Sequence, residues 1–462
     1  MNHSYARPRH LSVVVLAAGQ GTRMKSALPK VLHPVAGRPM LVHVLRAAQE
    51  LSPQEICVVY GHGGEQVRTA LADEKLAWAK QDPPRGTGHA VLQALPIIAT
   101  DGVTLILYGD VPLISSATLT QLVNAASTGC LAWLTMRVKN PIGMGRILRD
   151  ANGRVCAIVE HKDATDVQQK IDEINTGFLA CPTVRLRKWL LGLRTSNAQG
   201  EYYLTDILAM AVEEGCQVET FSPQAEYEVM GVNSKDQLAE VERIAQQQAA
   251  LRLMAAGVTL IDPARFDVRG ELSCDRDVCI DINVVFEGRV HLANNVKIGA
   301  NCILRDCTVG EGSEILPFSF IDGAAIGKAA RIGPYARIRP GTRLADEVHI
   351  GNFVEVKASN IGEGSKANHL SYIGDTTVGK NVNVGAGTIT CNYDGANKHR
   401  TVIEDNVHIG SDVQLIAPVT IGKGASIGAG TTVWKDVPAG TLTINEKKLV
   451  IRSDWKRPLK NK

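Results

Sequence analysis

Residues 332–357 read IGPYARIRPGTRLADEVHIGNFVEVK, and an aliphatic side chain returns at every sixth position: Ile332, Ile338, Leu344, Ile350 and Val356. A helix would repeat at about 3.6 residues and an ordinary strand at about 2, so neither accounts for this beat. Hexads in which a small residue often follows the aliphatic one mark a parallel β-helix, whose coils stack their aliphatic side chains inward. The beat resumes at Ile361, Ala367 and Ile373, then at Val378 and Val384. After a break it returns at Ile403, Ile409, Leu415, Ile421, Ile427 and Val433. The break, TITCNYDGANKHRT at 388–401, is polar and turn-rich and reads as a loop ejected from the coil, a place where function collects.

The first half is written differently. LSVVVLAAG, EICVVYG and VTLILYGD are short apolar runs ending in glycine or aspartate, the pattern of buried parallel strands. MLVHVLRAAQEL and GHAVLQALPII between them read as helices. This alternation predicts an open α/β sheet with ligands bound at the strand C-termini. SKDQLAEVERIAQQQAALRLMAAG at 234–257 has no interior glycine or proline and reads as one long linking helix. The expected divisions are therefore a disordered extension at 1–10, a nucleotide-binding domain at 11–233, the helix at 234–257, the β-helix at 258–440 and a tail at 441–462.

Composition narrows the class. The chain has 462 residues, 21% of them charged, with a formal net charge of +3, so bulk charge offers no case for nucleic acid or membrane surfaces. Ten cysteines are scattered singly with no CxxC and no zinc spacing, which fits reduced thiols in the cytoplasm. The polar start MNHSYARPRH and the short apolar run after it read as neither leader nor membrane span.

LAAGQGTRMKSALPK at 16–30 follows the first apolar run. It is not a Walker A motif, because no Gly-Lys-Ser/Thr follows. Its glycines and basic residues suit either a phosphate cradle at a helix N-terminus or a plain tight turn. Asp110 in LILYGDVPL ends a strand, where a carboxylate can hold Mg²⁺ or simply cap a helix.

Taken in order, GQGTRM with its downstream Pro-Lys, GTGHA at 86–90, YGDVPL, GRI at 145–147, EHKDAT at 160–165, EINTG at 173–177 and GVN at 231–233 are followed by the hexads. This series resembles the bifunctional bacterial enzymes of UDP-N-acetylglucosamine synthesis. The fold implied is a Rossmann-like nucleotidyltransferase domain joined by a helix to a left-handed parallel β-helix of hexapeptide repeats. The activities implied are acetylation of glucosamine 1-phosphate by acetyl-CoA, then transfer of UMP from UTP to N-acetylglucosamine 1-phosphate, feeding cell-wall and lipopolysaccharide synthesis. A homotrimer with acetyl sites shared between subunits is implied as well.

By the same resemblance, Gly19, Arg23 and Lys30 face the phosphates, and Leu16, Ala17 and Ala18 also bind substrate. Gln81, Gly86 and Thr87 read uracil, Tyr108 and Gly109 line the nucleotide, and Asp110 with Asn233 holds Mg²⁺. Gly145, Glu160 and Asn175 hold N-acetylglucosamine. In the β-helix His369 is the base, histidine being the residue type whose intrinsic pKa suits that task. Arg339, Lys357, Tyr372, Asn383 and Lys398 hold glucosamine 1-phosphate. Ala386, Asn392, Tyr393, Ser411 and Ala429 line the acetyl-CoA groove. A nucleotidyltransferase with a purely regulatory β-helix would leave His369, Asn392, Tyr393 and Lys398 unexplained, and a trimeric scaffold would leave Asp110 and Asn233 unexplained.

Two positions depart from the family pattern. Pro84 stands where a second glutamine is usual, with Arg85 as the candidate replacement, and Glu446 stands where an arginine reaches the CoA phosphates. Lys447 and Lys448 are the cations nearest Glu446 in sequence. Lys447→Ala combined with Lys448→Ala should therefore raise the KM for acetyl-CoA; an unchanged KM would reject compensation by these lysines.

Overall fold

LSVVVLA is buried at every residue, which requires a strand covered on both faces. In the computed structural model, which describes residues 8–19, 21–61, 63–446, 448–458 and 460, this segment is the centre of a nine-stranded sheet. The strands are β1 (Leu11–Ala17), β2 (Glu55–Tyr60), β3 (Ala77–Lys80), β4 (Val103–Tyr108), β5 (Leu131–Arg137), β6 (Arg146–Arg149), β7 (Val155–Val159), β8 (Glu173–Pro182) and β9 (Val218–Phe221). Their order is β9-β5-β8-β4-β1-β2-β3, with β6 paired to β8 and β7. β1 runs parallel to β2 and β4, whereas β8 runs antiparallel to β4 and β5.

Side chains alternate across a strand, so β1 serves two core layers. Val13 and Val15 enter the layer shared with the helices Met40–Gln49 and Ser116–Ala126. Val14 and Leu16 enter the layer shared with Thr87–Ala94, Thr183–Gly192 and Asp206–Glu213. Helices on both faces leave the strand ends as the open place for ligands.

The chain divides into two compact units, Met1–Ala245 and Gln246–Lys462. The division falls inside the helix Lys235–Ala255. Val241 is buried in the first unit's core and Ala250 in the second's.

The second unit is a left-handed parallel β-helix. Each coil makes three short strands, for example His349–Asn352, Glu355–Lys357 and Asn360–Ile361. Each strand pairs with its equivalent one coil on: Ile332 with Ile350, Ile338 with Val356, Ile350 with Ala367, Val356 with Ile373. All the aliphatic residues of the six-residue beat lie in the buried core. The stacking continues past 440, since Leu442–Thr443 still pairs with Ser426–Ile427.

The break in the beat is shorter than the sequence suggested. Ile389–Cys391 and Thr401–Ile403 both lie in the sheet, and only residues 392–400 leave the coil. Thr390, six residues after Val384, holds the inward position at 1% exposure. Its hydroxyl accepts the Gly374 N–H at 2.8 Å, so a polar residue keeps the place of an aliphatic one. Inside the loop Asp394 accepts the backbone N–H groups of Asn397 and Ala396 and contacts His399. These contacts hold its carboxyl well below the usual range.

One corner of the β-helix is apolar and exposed. Phe318, Tyr335, Phe353 and Leu370 occupy it at φ 62, 56, 56 and 46°, with the three rings stacked at centroid distances of 4.9 and 5.3 Å. All ten cysteines are free. Among the described residues no helix is long and apolar enough to cross a membrane. The expected extension at 1–10 and the tail residue Lys447 fall wholly or partly outside the described residues.

Ile338 is fully buried whereas Ile261 is 60% exposed. Ile338→Ala should destabilise the β-helix by about 2–5 kcal/mol. Ile261→Ala should stay within about 0.5 kcal/mol, both read by chemical denaturation of the full chain.

Candidate active sites

The Gly109 N–H donates to Leu16 O at 2.9 Å, setting the ends of β1 and β4 side by side. Leu16, Ala17, Ala18 and Gly19 thereby neighbour Tyr108, Gly109 and Asp110. Gly21 turns the loop at φ 62°, and a side chain there would approach Lys30 Cβ to 2.7 Å, so only glycine lets the loop close onto Lys30. The Lys30 ammonium donates to the Asp110 carboxylate and, at 3.0 Å, to Asn233 Oδ1. Val232 N–H donates to Asp110 O at 3.0 Å, fixing the last of these three segments. A carboxylate and an amide oxygen thus converge on one cation, and such hard oxygens suit Mg²⁺ together with phosphate. Arg23 stands exposed on the adjoining turn Thr22–Met24.

Gly145, Glu160 and Asn175 come together beside this loop's strand ends. A Cβ on Gly145 would lie 3.4 Å from both Glu160 Oε1 and Asn175 Cβ. Burial raises the Glu160 carboxyl, Thr205 opposes this through a 3.2 Å hydrogen bond, and Asp163 and Asp206 add to the rise. Tyr108 is pushed up by burial first and then by the charges of Glu160 and Asp110, which it neighbours. β8 is bulged between Asn175 and Leu179. Gly177, at φ 90°, makes the bulge, and a side chain there would lie 2.4 Å from the Tyr108 ring. Around Asn175 the other polar residues of EINTG are structural: Glu173 binds Arg149 at 2.6 Å, Thr176 donates to Leu134 O, and Gly177 bends the strand.

Gln81 is buried, and its Nε2 donates to Gly86 O at 3.0 Å. Thr87 opens its helix and accepts the Leu204 N–H at 3.1 Å. Pro84 and Arg85 are exposed.

In the β-helix the expected residues fall at two different corners. His369 and its partner Asn352 occupy equivalent places in successive coils, with His369 Nδ1 3.0 Å from Asn352 Oδ1. An amide oxygen accepts, so Nδ1 carries the proton and Nε2 keeps its lone pair. Backbone bonds Leu370 N–Asn352 O, Gly387 N–Leu370 O, Asp412 N–Ala386 O and Gly430 N–Ser411 O link the same corner through later coils. His369, Ala386, Ser411 and Ala429 therefore form one column of small residues leading away from the imidazole. Asn383 lies on the adjoining face, paired with Lys366 and His408.

The second corner is polar and charged. Lys357 binds Asp375 at 3.1 Å, Arg339 binds Glu355 at 2.7 Å, and Asn392 Nδ2 donates to Asp375 and toward the Tyr372 hydroxyl. Lys398 lies against Lys357, whose hydrogen bond and charge lower its pKa. Crowded cations with too few carboxylates suit a phosphate. Tyr393, on the loop, is 61% exposed. Burial raises the Cys391 thiol, which argues against a thiolate acyl carrier. The strand Tyr372–Gly374 separates the two corners.

Asp375, Glu355 and Asn352 were not anticipated as site residues. For Asp375 the signal was present, a charged residue at a coil corner with φ 51° inside the motif SKANHLSYIGD.

Residues 13–193 match the MobA-like NTP transferase domain, 268–354 the GMPPB C-terminal domain and 400–433 the bacterial transferase hexapeptide (six repeats). The chain is 61% identical over 452 residues to the bifunctional protein GlmU of Azoarcus sp. (strain BH72), covering 98% of this chain and 100% of that one. It is 59% identical over 452 residues to the GlmU of Burkholderia multivorans, with coverage of 98% and 100%. To that of Nitrosospira multiformis it is 59% identical over 451 residues, with coverage of 97% and 98%. With a nucleotidyltransferase sheet, a hexapeptide β-helix and end-to-end identity of this size, the chain belongs to the GlmU family of bifunctional transferases.

Proposed function

We infer the following division of work in this bifunctional enzyme. The β-helix acetylates glucosamine 1-phosphate with acetyl-CoA, and the sheet unit transfers UMP from UTP to the N-acetylglucosamine 1-phosphate so formed. Pyrophosphate and UDP-N-acetylglucosamine, a precursor for cell wall and lipopolysaccharide, are the products. The observation that carries this reading is the convergence of Lys30, Asp110 and Asn233 at the strand ends of a chain that matches its bifunctional relatives along its length.

In acetyl transfer the sugar amine attacks the thioester carbonyl. His369 Nε2 takes the amine proton, Asn352 holds the ring, and the CoA thiolate leaves. Arg339, Lys357 and Lys398 hold the phosphate, while Tyr372 and Asn383 orient the sugar. The column Ala386, Ser411, Ala429, with Tyr393 and Asn392, takes the extended cofactor. In uridylyl transfer a sugar phosphate oxygen attacks the α-phosphorus of UTP in line with departing pyrophosphate, a reaction that needs position and charge rather than a protein nucleophile. Gln81, Gly86 and Thr87 hold uracil, Gly145, Glu160 and Asn175 the sugar, and Arg23 and Lys30 the phosphates. Asp110 and Asn233 would hold Mg²⁺, which when bound neutralises phosphate charge.

A homotrimer is the assembly proposed. Its support is that His369 and the cationic cluster lie at different corners of one chain, while the exposed ladder Phe318–Tyr335–Phe353–Leu370 runs beside His369. Free cysteines and the nucleotide and acetyl-CoA substrates support a cytoplasmic location.

Incubation with glucosamine 1-phosphate, acetyl-CoA, UTP and Mg²⁺ should release CoA and pyrophosphate together. Pyrophosphate seen only when N-acetylglucosamine 1-phosphate is added would overturn the two-step reading. His369→Ala should slow CoA release by about 10²- to 10⁴-fold and spare uridylyl transfer, and Asp110→Ala should do the reverse.

Glu160 supplies a pH dependence. Its raised pKa means that the carboxylate takes up a proton at a higher pH than an ordinary glutamate would and then stops accepting sugar hydroxyls. The KM for N-acetylglucosamine 1-phosphate should rise as pH falls, beginning above the pH at which an ordinary glutamate is protonated. Glu160→Gln should start with a higher KM and lose this part of the slope; parallel profiles would reject the assignment.

A further inference from the structure

The carboxamide of Asn175 can face two ways, and a buried side chain decides between them. Trp133 Nε1 lies 2.7 Å from Asn175 Oδ1, and the Gly177 backbone N–H reaches the same oxygen at 2.7 Å. Indole and amide N–H groups only donate, so the atom between them must be the carbonyl oxygen. The reversed amide would press an NH₂ against two donors. With both bonds on Oδ1, Nδ2 has no hydrogen-bond partner among the described residues, and Asn175 borders Gly145 and Glu160.

This arrangement is built, not incidental. Trp133 is fully buried on β5 and packs in the core layer with Val14, Ile106 and Leu179. A side chain without the indole N–H would leave Asn175 Oδ1 with one donor fewer. The bulge at Gly177 turns the second donor to the same atom.

We propose that Trp133 is a positioning residue for uridylyl transfer: its indole N–H locks the Asn175 carboxamide so that the NH₂ is offered to an acceptor oxygen of the sugar. The pocket then presents one fixed donor, Asn175, and one acceptor, Glu160, to the hydroxylated ring. The inference rests on the placing of Asn175 in the N-acetylglucosamine pocket.

The test is steady-state kinetics of the full chain with UTP, N-acetylglucosamine 1-phosphate and Mg²⁺. Trp133 is replaced by Phe and, by site-specific incorporation, by 3-benzothienylalanine, which keeps the bicyclic shape and exchanges the N–H for sulfur. Both changes should raise the KM for the sugar phosphate by about 3- to 10-fold. The KM for UTP, kcat and acetyl transfer should stay unchanged. Asn175→Asp, which keeps the acceptor and deletes the donor, should lose at least as much. If Trp133→Phe unfolds the unit, the benzothienyl variant still decides. A benzothienyl variant with wild-type KM, or equal losses toward both substrates, overturns the proposal. If Asn175→Asp also leaves the KM unchanged in an active enzyme, the placing of Asn175 in the pocket is what has failed. A wild type that does not turn over the sugar phosphate fails both.

Discussion

The inward stacking of one aliphatic side chain per hexad fixes almost everything else about the β-helix. Once Ile332, Ile338 and Leu344 must each lie over their equivalents in the next coil, the residues between them have no freedom of register. Outward positions therefore line up in vertical columns. The imidazole of His369 with the small residues below it, the crowded cations at Lys357 and the ring ladder at Tyr335 are three such columns, each the product of the same core constraint. A catalytic group on such a coil is held by the whole stack rather than by its own neighbours. This explains how one hydrogen bond, from His369 Nδ1–H to Asn352 Oδ1, suffices to hold the ring.

The sheet unit reaches its site by another route. Residues 30, 110 and 233 are far apart in sequence, and only the common end of the strands brings them within hydrogen-bonding distance. Lys30 sits between the Asp110 carboxylate and the Asn233 amide oxygen, so the carboxylate's charge is balanced within the cluster. A carboxylate balanced in this way repels an approaching anion less than a bare one would. The strain of that convergence is carried by Gly21, where any side chain would strike Lys30.

Much of this was legible in the sequence. The six-residue beat placed core residues of the second unit from Ile332 to Val433, though not the earlier ones such as Phe266 and Phe286, and the apolar runs of the first half placed β1, β2 and β4. Three things were not legible, each for a physical reason. Thr390 hid a coil position, because a hydroxyl that finds a backbone N–H can sit where periodicity looks only for aliphatics. The antiparallel β8 within an otherwise parallel group leaves no signature in hydropathy, since it is buried on both faces like its neighbours. Glu355 and Trp133 act on other side chains, and such relations depend on register across strands rather than on any local motif.

The two departures from the family pattern fall outside these constrained regions. Pro84 and Glu446 are exposed, and Glu446 lies beyond the last paired strand, Leu442–Thr443. Among the described residues neither makes a hydrogen bond or ion pair to Lys30, Asp110, Asn352, His369, Asn175 or Glu160. Residues that carry chemistry are held where many contacts agree, so a change there would disturb packing as well as function. Residues that only extend the grip on a long cofactor or a base lie where the fold exerts no control. On the reading proposed above, a change at such a position alters affinity at the far ends of UTP and acetyl-CoA and leaves the reacting centres as the stacked coils and converging strands set them.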